Sequence, residues 1–175
     1  MTMFGQHETF KAVLGVSGAD CPILGSSIIR KRLEQNGVRI TGPAISADRQ
    51  ALVAAARETG ADAILISCSY GHGEATCRGL RDLCQASGLK GITLYAGGNL
   101  MAGDTGFAVV EQTFRAMGYD RVFPPLVSLA LVAEQLKEDI RRKRRSLKGR
   151  IAGPARLRNT ANPAGLNLAF AHMYG

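Results

Sequence analysis

The sequence lacks any long apolar run, and this absence excludes an integral membrane protein built on helices. No apolar run in the 175-residue chain approaches the roughly 18 residues that a membrane-spanning helix needs. The first eight residues are polar and short, so we expect no secretory signal. We therefore expect no membrane partner and a cytoplasmic location.

Metal-binding and disulfide patterns are also missing. The four cysteines, Cys21, Cys68, Cys77 and Cys84, form no CxxC pair, so we interpret them as reduced, structural thiols. His72 stands near Cys77, but no second pair follows at ligand spacing, and we expect no metal site. A cysteine–histidine relay would lack an orienting acid nearby in sequence, and we interpret His72 as a polar loop residue.

Positive charge is confined to one stretch of the chain. The net charge is +8, from 22 Lys/Arg and 14 Asp/Glu. Residues 137–158 hold 10 Lys/Arg and 2 Asp/Glu, which leaves 12 of each sign elsewhere. We interpret this stretch as a solvated helix end, with an electrostatic anchor for an acidic subunit or nucleic acid as the alternative. It contains no aromatic residue on which bases could stack, so we do not expect a nucleic-acid partner.

Apolar segments of strand type recur at regular intervals along the chain. They are residues 10–15, 38–40, 63–67, 91–95 and 121–123. Residues 63–67 form an almost unbroken apolar run, as expected of a strand that is covered on both faces.

Helical patterns separate these strands. Ser26 and Ser46 are predicted N-caps, and Gly37 and Gly60 are predicted helix stops. Further helices are predicted over residues 73–87 and 107–117, and Pro124-Pro125 is predicted to open the last one.

The alternation of strands and helices predicts the fold class. It favours a flavodoxin-like (Rossmann-like), doubly wound α/β fold: a five-stranded parallel sheet of order 2-1-3-4-5 with helices on both faces. We expect an N-terminal segment over residues 1–9, the domain over 10–147 and a basic, irregular tail over 148–175.

Ligands of such folds bind at the carboxyl ends of the strands. The loops expected there, residues 17–25, 67–73 and 96–103, are the richest in Gly, Ser and Asn. A phosphoacceptor site is excluded because Asp20 is a lone acid and the third strand ends in Ser67. A dinucleotide site is not expected, since no GxGxxG follows the first strand.

Five segments carry a specific resemblance, in the same order and spacing over roughly residues 10–140. They are residues 13–20 (VLGVSGAD), 61–74 (ADAILISCSYGHGE), 77–81 (CRGLR), 94–99 (LYAGGN) and 117–122 (MGYDRV). Together they resemble the small subunit of glutamate (methylaspartate) mutase.

The resemblance implies adenosylcobalamin or another cobalamin, with the nucleotide arm threaded beside the sheet. It also implies a large catalytic barrel subunit, so that this chain is one component of a hetero-oligomeric isomerase, inactive alone, that rearranges a carbon skeleton by a radical reaction. The cofactor-binding residues it implies are Ala19, Asp20, Cys21, Pro22, Ile23, Gly25, Ser67, Cys68, Ser69, Tyr70, Gly71, Gly97, Gly98, Asn99, Leu100, Met101, Ala102 and Gly103.

One position departs from the family pattern Asp-x-His-x-x-Gly. Asp20 and Gly25 stand, but Pro22 occupies the place of the histidine that ligates cobalt, and proline has no donor atom. Three alternatives follow. Cobalamin still binds without this ligand; the domain no longer binds it and acts as a partner-binding or regulatory module; or another flat, nucleotide-like ligand uses the groove.

Overall fold

The computed structural model describes residues 8–17, 23–42, 45–46, 48–69, 71–101, 103 and 105–151. Its elements in chain order are β1 (Phe10–Ser17), α1 (Ile23–Gln35), β2 (Val38–Ile40), β3 (Ile45–Ser46), α2 (Arg49–Thr59), β4 (Ala63–Cys68), α3 (Gly73–Cys77), α4 (Leu80–Ala86), β5 (Thr93–Gly98), α5 (Phe107–Ala116), β6 (Arg121–Phe123) and α6 (Leu129–Ile151).

The described strands form one parallel sheet in the order β2-β1-β4-β5-β6. This order confirms the predicted 2-1-3-4-5 arrangement, because the two-residue β3 lies off the path and pairs only with β1. β3 was not predicted. Its pairing with Gly15 and Val16 is a contact between distant segments that no local pattern indicates.

Helices cover both faces of the sheet. On one face, α2, α3, α4 and α5 pack on the inward side chains of the sheet, with Leu52, Leu80 and Phe114 fully buried. On the other face, α1 and α6 cover Leu14, Leu65, Tyr95 and Phe123 and contribute Leu33, Val132, Ala133, Leu136 and Ile140. The two α1/α6-side helices leave a gap between them, and the candidate site lies there.

Two helix ends follow the predicted backbone chemistry. Gly37 and Gly60 have φ of 82° and 60°, the left-handed conformation that glycine adopts at helix stops. The N-cap predictions are wrong. α1 begins at Ile23, before Ser26. Ser46 lies in β3, and α2 is capped by Asp48, whose carboxylate accepts the N–H groups of Gln50 and Ala51.

Two other helix predictions are corrected. The single helix predicted over residues 73–87 is divided into α3 and α4, because Gly79 adopts a φ of 78° between them. Pro124-Pro125 does not open the last helix, which begins at Leu129. Leu126 interrupts it with a φ of 65°, which no right-handed helix permits.

The second half of α6 is anchored by charge, so its interpretation as a solvated helix end is only partly correct. Arg144 binds Asp62 at 2.7 Å, and Lys143 binds Asp120 at 2.7 Å. Arg141 binds Glu8 at 2.7 Å and lies over the Phe10 ring. The acids precede β1, β4 and β6, so this part of α6 lies along the amino edge of the sheet. Among the described residues, no helix is both long and apolar enough to cross a membrane.

Candidate functional site

A cleft of about 280 Å³ lies under α1 and α6 at the carboxyl edge of the sheet. Its floor is formed by β4 and β5, and the loop between β6 and α6 borders it. The lining residues are Leu14, Ile29, Leu33, Leu65, Ile66, Ser67, Tyr95, Ala96, Gly97, Gly98, Phe123, Pro124, Pro125, Leu126, Val127, Leu129 and Val132. None of these is charged, so the cleft suits an apolar or weakly polar part of a ligand.

The floor has almost no side chains where β4 and β5 end. Ser67 lies opposite Gly97 in the parallel register, and Gly97 lies opposite Phe123. A Cβ on Gly97 would lie 3.5 Å from the Phe123 Cβ, an ordinary contact, so the backbone there could accept a side chain. Its absence keeps the floor of the cleft low and open for a flat group.

Gly98, by contrast, is required by the fold. Its φ is 93°, and a Cβ there would lie 2.3 Å from the carbonyl oxygen of Cys68. The left-handed backbone turns the chain sharply after β5, and Asn99 then donates its N–H to the same Cys68 carbonyl at 2.8 Å. This turn positions the rim of the cleft.

Ser67 supplies the free hydroxyl of the floor. Its side chain is half-buried, and its hydroxyl has no hydrogen-bond partner among the described residues. It alternates along β4 with Leu65, whose side chain lines the same cleft. A hydroxyl placed so is available to donate to a ligand atom in the cleft.

Tyr95 also lines the cleft, but its hydroxyl is already used. It donates a 2.6 Å hydrogen bond to Asp139 of α6, a carboxylate that Arg121 also binds at 2.7 Å. Burial and the Asp139 carboxylate raise the pKa of Tyr95. Burial alone would raise the pKa of Asp139, but the hydrogen bonds from Arg121 and Tyr95 outweigh it and hold that pKa below its usual range.

The rim loops are tied together by backbone contacts. His72 forms an antiparallel bridge with Met101, and Gly71 donates its N–H to the carbonyl of Asn99 at 2.9 Å. The Asn99 side chain donates to the carbonyl of Ser69 at 3.1 Å. The loops that follow β4 and β5 therefore form one continuous rim beside the cleft.

An exposed apolar residue stands at the mouth of the cleft. Leu126 is fully exposed and has a φ of 65°, a left-handed conformation that costs a leucine roughly 1–2 kcal/mol. Its side chain buries nothing in the chain itself, so folding does not account for it. Strained, exposed apolar residues beside a cleft are typical of contact surfaces.

The cysteine predicted for the site lies on the other side of the sheet. The Cys68 side chain is buried in the core formed with α2, α3, α4 and α5, beside Cys77. A hydrogen bond from the Cys77 thiol lowers the pKa of Cys68, whereas that bond and burial raise the pKa of Cys77. Both thiols are free, as is that of Cys84, and Cys68 contributes only backbone to the rim.

The predicted site residues fall into three groups. The cleft brings together Ser67, Gly97 and Gly98, while Ser69, Gly71, Asn99, Met101 and Gly103 follow at the carboxyl edge. Ile23 and Gly25 lie in the first turn of α1, and the Leu100 side chain packs in the core with Cys68. The remaining predicted residues lie outside the described part of the chain: Ala19, Asp20, Cys21, Pro22, Tyr70 and Ala102.

The apolar wall of the cleft was missed by sequence reasoning. Leu126, Val127, Leu129 and Val132 were assigned to the last helix or its core-facing side, not to a site. The available signal was the uncharged run over residues 122–133, which contrasts with the basic run that follows it. Among the described residues, no group of three His, Cys, Asp or Glu side chains could hold a metal ion.

Comparison with known proteins identifies the family. Residues 10–125 match the B12 binding domain. The chain is 42% identical over 129 residues to the glutamate mutase sigma subunit of Treponema denticola, covering 74% of this chain and 93% of the relative. It is 40% identical over 131 residues to that of Escherichia coli O157:H7, covering 75% of this chain and 88% of the relative. The chain belongs to the B12-binding domain family that includes these sigma subunits.

Solved structures support the fold of this B12-binding domain. A cobalamin-binding protein from Desulfitobacterium hafniense superposes with a TM-score of 0.57 at 19% identity, over 74% of this chain and 58% of the other. A Francisella response regulator receiver domain gives 0.52 at 14% identity, over 75% and 97%. At these identities the likeness concerns the fold alone, which is the flavodoxin-like plan predicted from the sequence.

Proposed function

We propose that this chain is the cobalamin-binding small subunit of a mutase of the glutamate mutase type, and that it carries adenosylcobalamin to a separate catalytic subunit. The observation that carries the proposal is the uncharged cleft at the carboxyl edge, whose floor is Ser67 and Gly97, within a chain of the B12-binding domain family.

The described residues fit part of the cofactor well. Cobalamin consists of a wide corrin ring with an amide-bearing rim and a nucleotide arm that ends in a flat, bicyclic base. A cleft of about 280 Å³ is too small for the ring and suits the base, since pockets for whole drug-sized ligands measure about 300–1,000 Å³. The bare floor at Gly97 leaves room for a flat group to lie on the sheet.

The chain's own residues would then divide the binding between them. Ser67 would donate its hydroxyl to the base, and Tyr95 and Phe123 would contact it with their rings. The rim loops, with the backbone and side chain of Asn99, would face the amides of the corrin. Adenosylcobalamin supplies a cobalt–carbon bond whose homolysis starts radical rearrangements.

Pro22 limits what is carried over from the family. Proline cannot ligate cobalt, so cobalamin would be held by the cleft and the rim without the histidine of the family pattern. The same residue favours a second candidate function, a domain that has lost the cofactor and serves as a partner-binding or regulatory module. The three buried free thiols among the described residues support a cytoplasmic location for either.

Titration of the purified chain with hydroxocobalamin and adenosylcobalamin tests the proposal. We expect the corrinoid to co-elute with the protein on a desalting column and its visible spectrum to change to the form with the base displaced from cobalt. Gly97→Val fills the floor and should weaken binding, whereas Gly149→Ala, on the exposed end of α6 with no atom within 4 Å of the new methyl, should not. Elution of all corrinoid apart from the folded protein would leave the regulatory module as the function.

A further inference from the structure

The polar side chains of the cleft are unusually few. Of the described lining residues, only Ser67 and Tyr95 carry a polar side-chain atom. The Tyr95 hydroxyl is committed to Asp139 at 2.6 Å, and that carboxylate also binds Arg121. One hydroxyl therefore remains to pair with a group that enters the cleft.

Natural corrinoids differ in the base at the end of the nucleotide arm. In cobalamin it is dimethylbenzimidazole, which has one free imidazole nitrogen and two methyl groups. In purine-type analogues it is adenine, which has a corresponding imidazole nitrogen together with an exocyclic amine and two further ring nitrogens. The single Ser67 hydroxyl can satisfy the nitrogen that the two bases share and leaves the additional polar groups of adenine without a side-chain partner.

The walls make this difference consequential. The side chains nearest the mouth and along α6 are Val127, Leu129 and Val132, and Leu33 and Ile29 face them from α1. Methyl groups gain from contact with such walls, whereas an amine that leaves water without a new hydrogen bond is penalised.

We propose that the cleft selects corrinoids with a benzimidazole-type base over those with a purine-type base, and that the apolar wall formed by Val127, Leu129 and Val132 determines this selectivity. The proposal rests on the proposed function, since it concerns the part of the cofactor assigned to the cleft. A purine-type base should bind about tenfold more weakly or less tightly still, because one unpaired buried polar group has an effect of that order.

Equilibrium binding of three corrinoids separates the two proposals. The probes are cobalamin, its adenine-base analogue and cobinamide, which lacks the nucleotide arm. We expect cobalamin to bind tightest, the adenine analogue about tenfold or more weakly, and cobinamide weakest. Equal affinity for cobalamin and the adenine analogue would overturn the selectivity and leave cobalamin binding intact. Failure of all three to bind would overturn the proposed function itself and the selectivity with it.

A matched pair of variants locates the selectivity. Val132→Thr adds one hydroxyl to the wall with little change in volume and should bring the two affinities closer together. Val109→Thr makes the same change on the exposed face of α5, outside the cleft, and should leave their ratio unchanged. Ser67→Ala should weaken both corrinoids by the same factor, because both bases offer the nitrogen it serves. An affinity ratio that Val132→Thr leaves unchanged, or that Val109→Thr alters as strongly, would remove the wall as its cause.

Discussion

Tyr95 and Asp139 join the floor of the cleft to its wall. The tyrosine lies in β5 with its ring against the cleft, and its hydroxyl donates a 2.6 Å hydrogen bond to a buried carboxylate in α6. Arg121 of β6 binds the same carboxylate at 2.7 Å. Three elements thus meet at one carboxylate, which fixes the distance between the sheet and α6 and with it the width of the cleft.

Removing the Tyr95 hydroxyl should destabilise the fold measurably. Tyr95→Phe loses a hydrogen bond to a charged acceptor, and we expect the free energy of unfolding to fall by about 2 kcal/mol. Tyr119→Phe is the control, because Tyr119 donates at 3.2 Å to the neutral carbonyl of Cys77 and should lose about 1 kcal/mol. Urea unfolding of both variants gives the comparison, and an equal loss in the two would contradict the special role of Asp139.

Acid should weaken the same junction. Because the pKa of Asp139 is lower in the folded chain than the value of about 3.9 in an unfolded one, its contribution to stability is complete above that pH and is lost as the pH falls below it. Asp139→Asn should therefore be less stable than the parent at pH 7, and the difference should shrink below about pH 4. Unfolding curves measured between pH 3 and pH 7 test this, and a difference independent of pH would refute it.

Two adjacent glycines should respond differently to the same substitution. Gly98→Ala places a methyl group against the Cys68 carbonyl and forces a left-handed alanine, so we expect a loss of about 2 kcal/mol or more in the free energy of unfolding. Gly97→Ala meets only an ordinary contact with Phe123 and should fold with near-parental stability. Its effect should appear in cobalamin affinity. A cofactor-free unfolding experiment and a binding titration together distinguish the two roles, and a destabilised Gly97→Ala would remove that distinction.

Leu126 should be replaceable without loss of stability. Leu126→Gly relieves the left-handed leucine and removes a side chain that is fully exposed, so we expect an unfolding free energy equal to the parent's or higher by up to about 1 kcal/mol. If the residue serves contact at the mouth of the cleft, affinity for cobalamin or for the catalytic subunit should fall in the same variant. Unchanged affinity for both would make Leu126 an incidental surface residue.

Pro22→His should restore the ligand that the family pattern contains. In the cob(II)alamin form, we expect the electron paramagnetic resonance spectrum of the variant to show splitting from a histidine nitrogen. Growth with ¹⁵N-histidine should then change that splitting. The parent chain, which offers no donor at this position, should show neither effect. A parent spectrum that responds to the ¹⁵N label would mean that another histidine ligates cobalt.

Local chemistry accounts for what could be predicted from the sequence. The apolar run at residues 63–67 and the glycines at 37 and 60 specify strands and helix ends by rules that concern only neighbouring residues, and the order of the sheet follows from right-handed crossovers. The position of the site at the carboxyl edge follows from that order.

The parts that were missed depend on contacts between distant segments. β3 exists because residues 45–46 meet β1, and the anchoring of α6 depends on Asp62 and Asp120, which are far from it in sequence. The wall of the cleft required knowing that Leu126 leaves the helical conformation and that α6 begins three residues later. None of these facts is encoded in a short window of the chain.

The placement of charge along α6 gives the molecule an electrical orientation. The helix starts beside the uncharged cleft and ends on the opposite edge of the sheet, where the basic stretch leaves Arg145 and Lys148 exposed beyond the ion pairs with Glu8, Asp62 and Asp120. The field of these cations reaches about 8 Å at physiological ionic strength, so an acidic macromolecule is steered to the amino edge first. Capture by charge at that edge leaves the mouth of the cleft facing away and accessible, so a long-range encounter and the handling of a cofactor can occur on the same small domain at once.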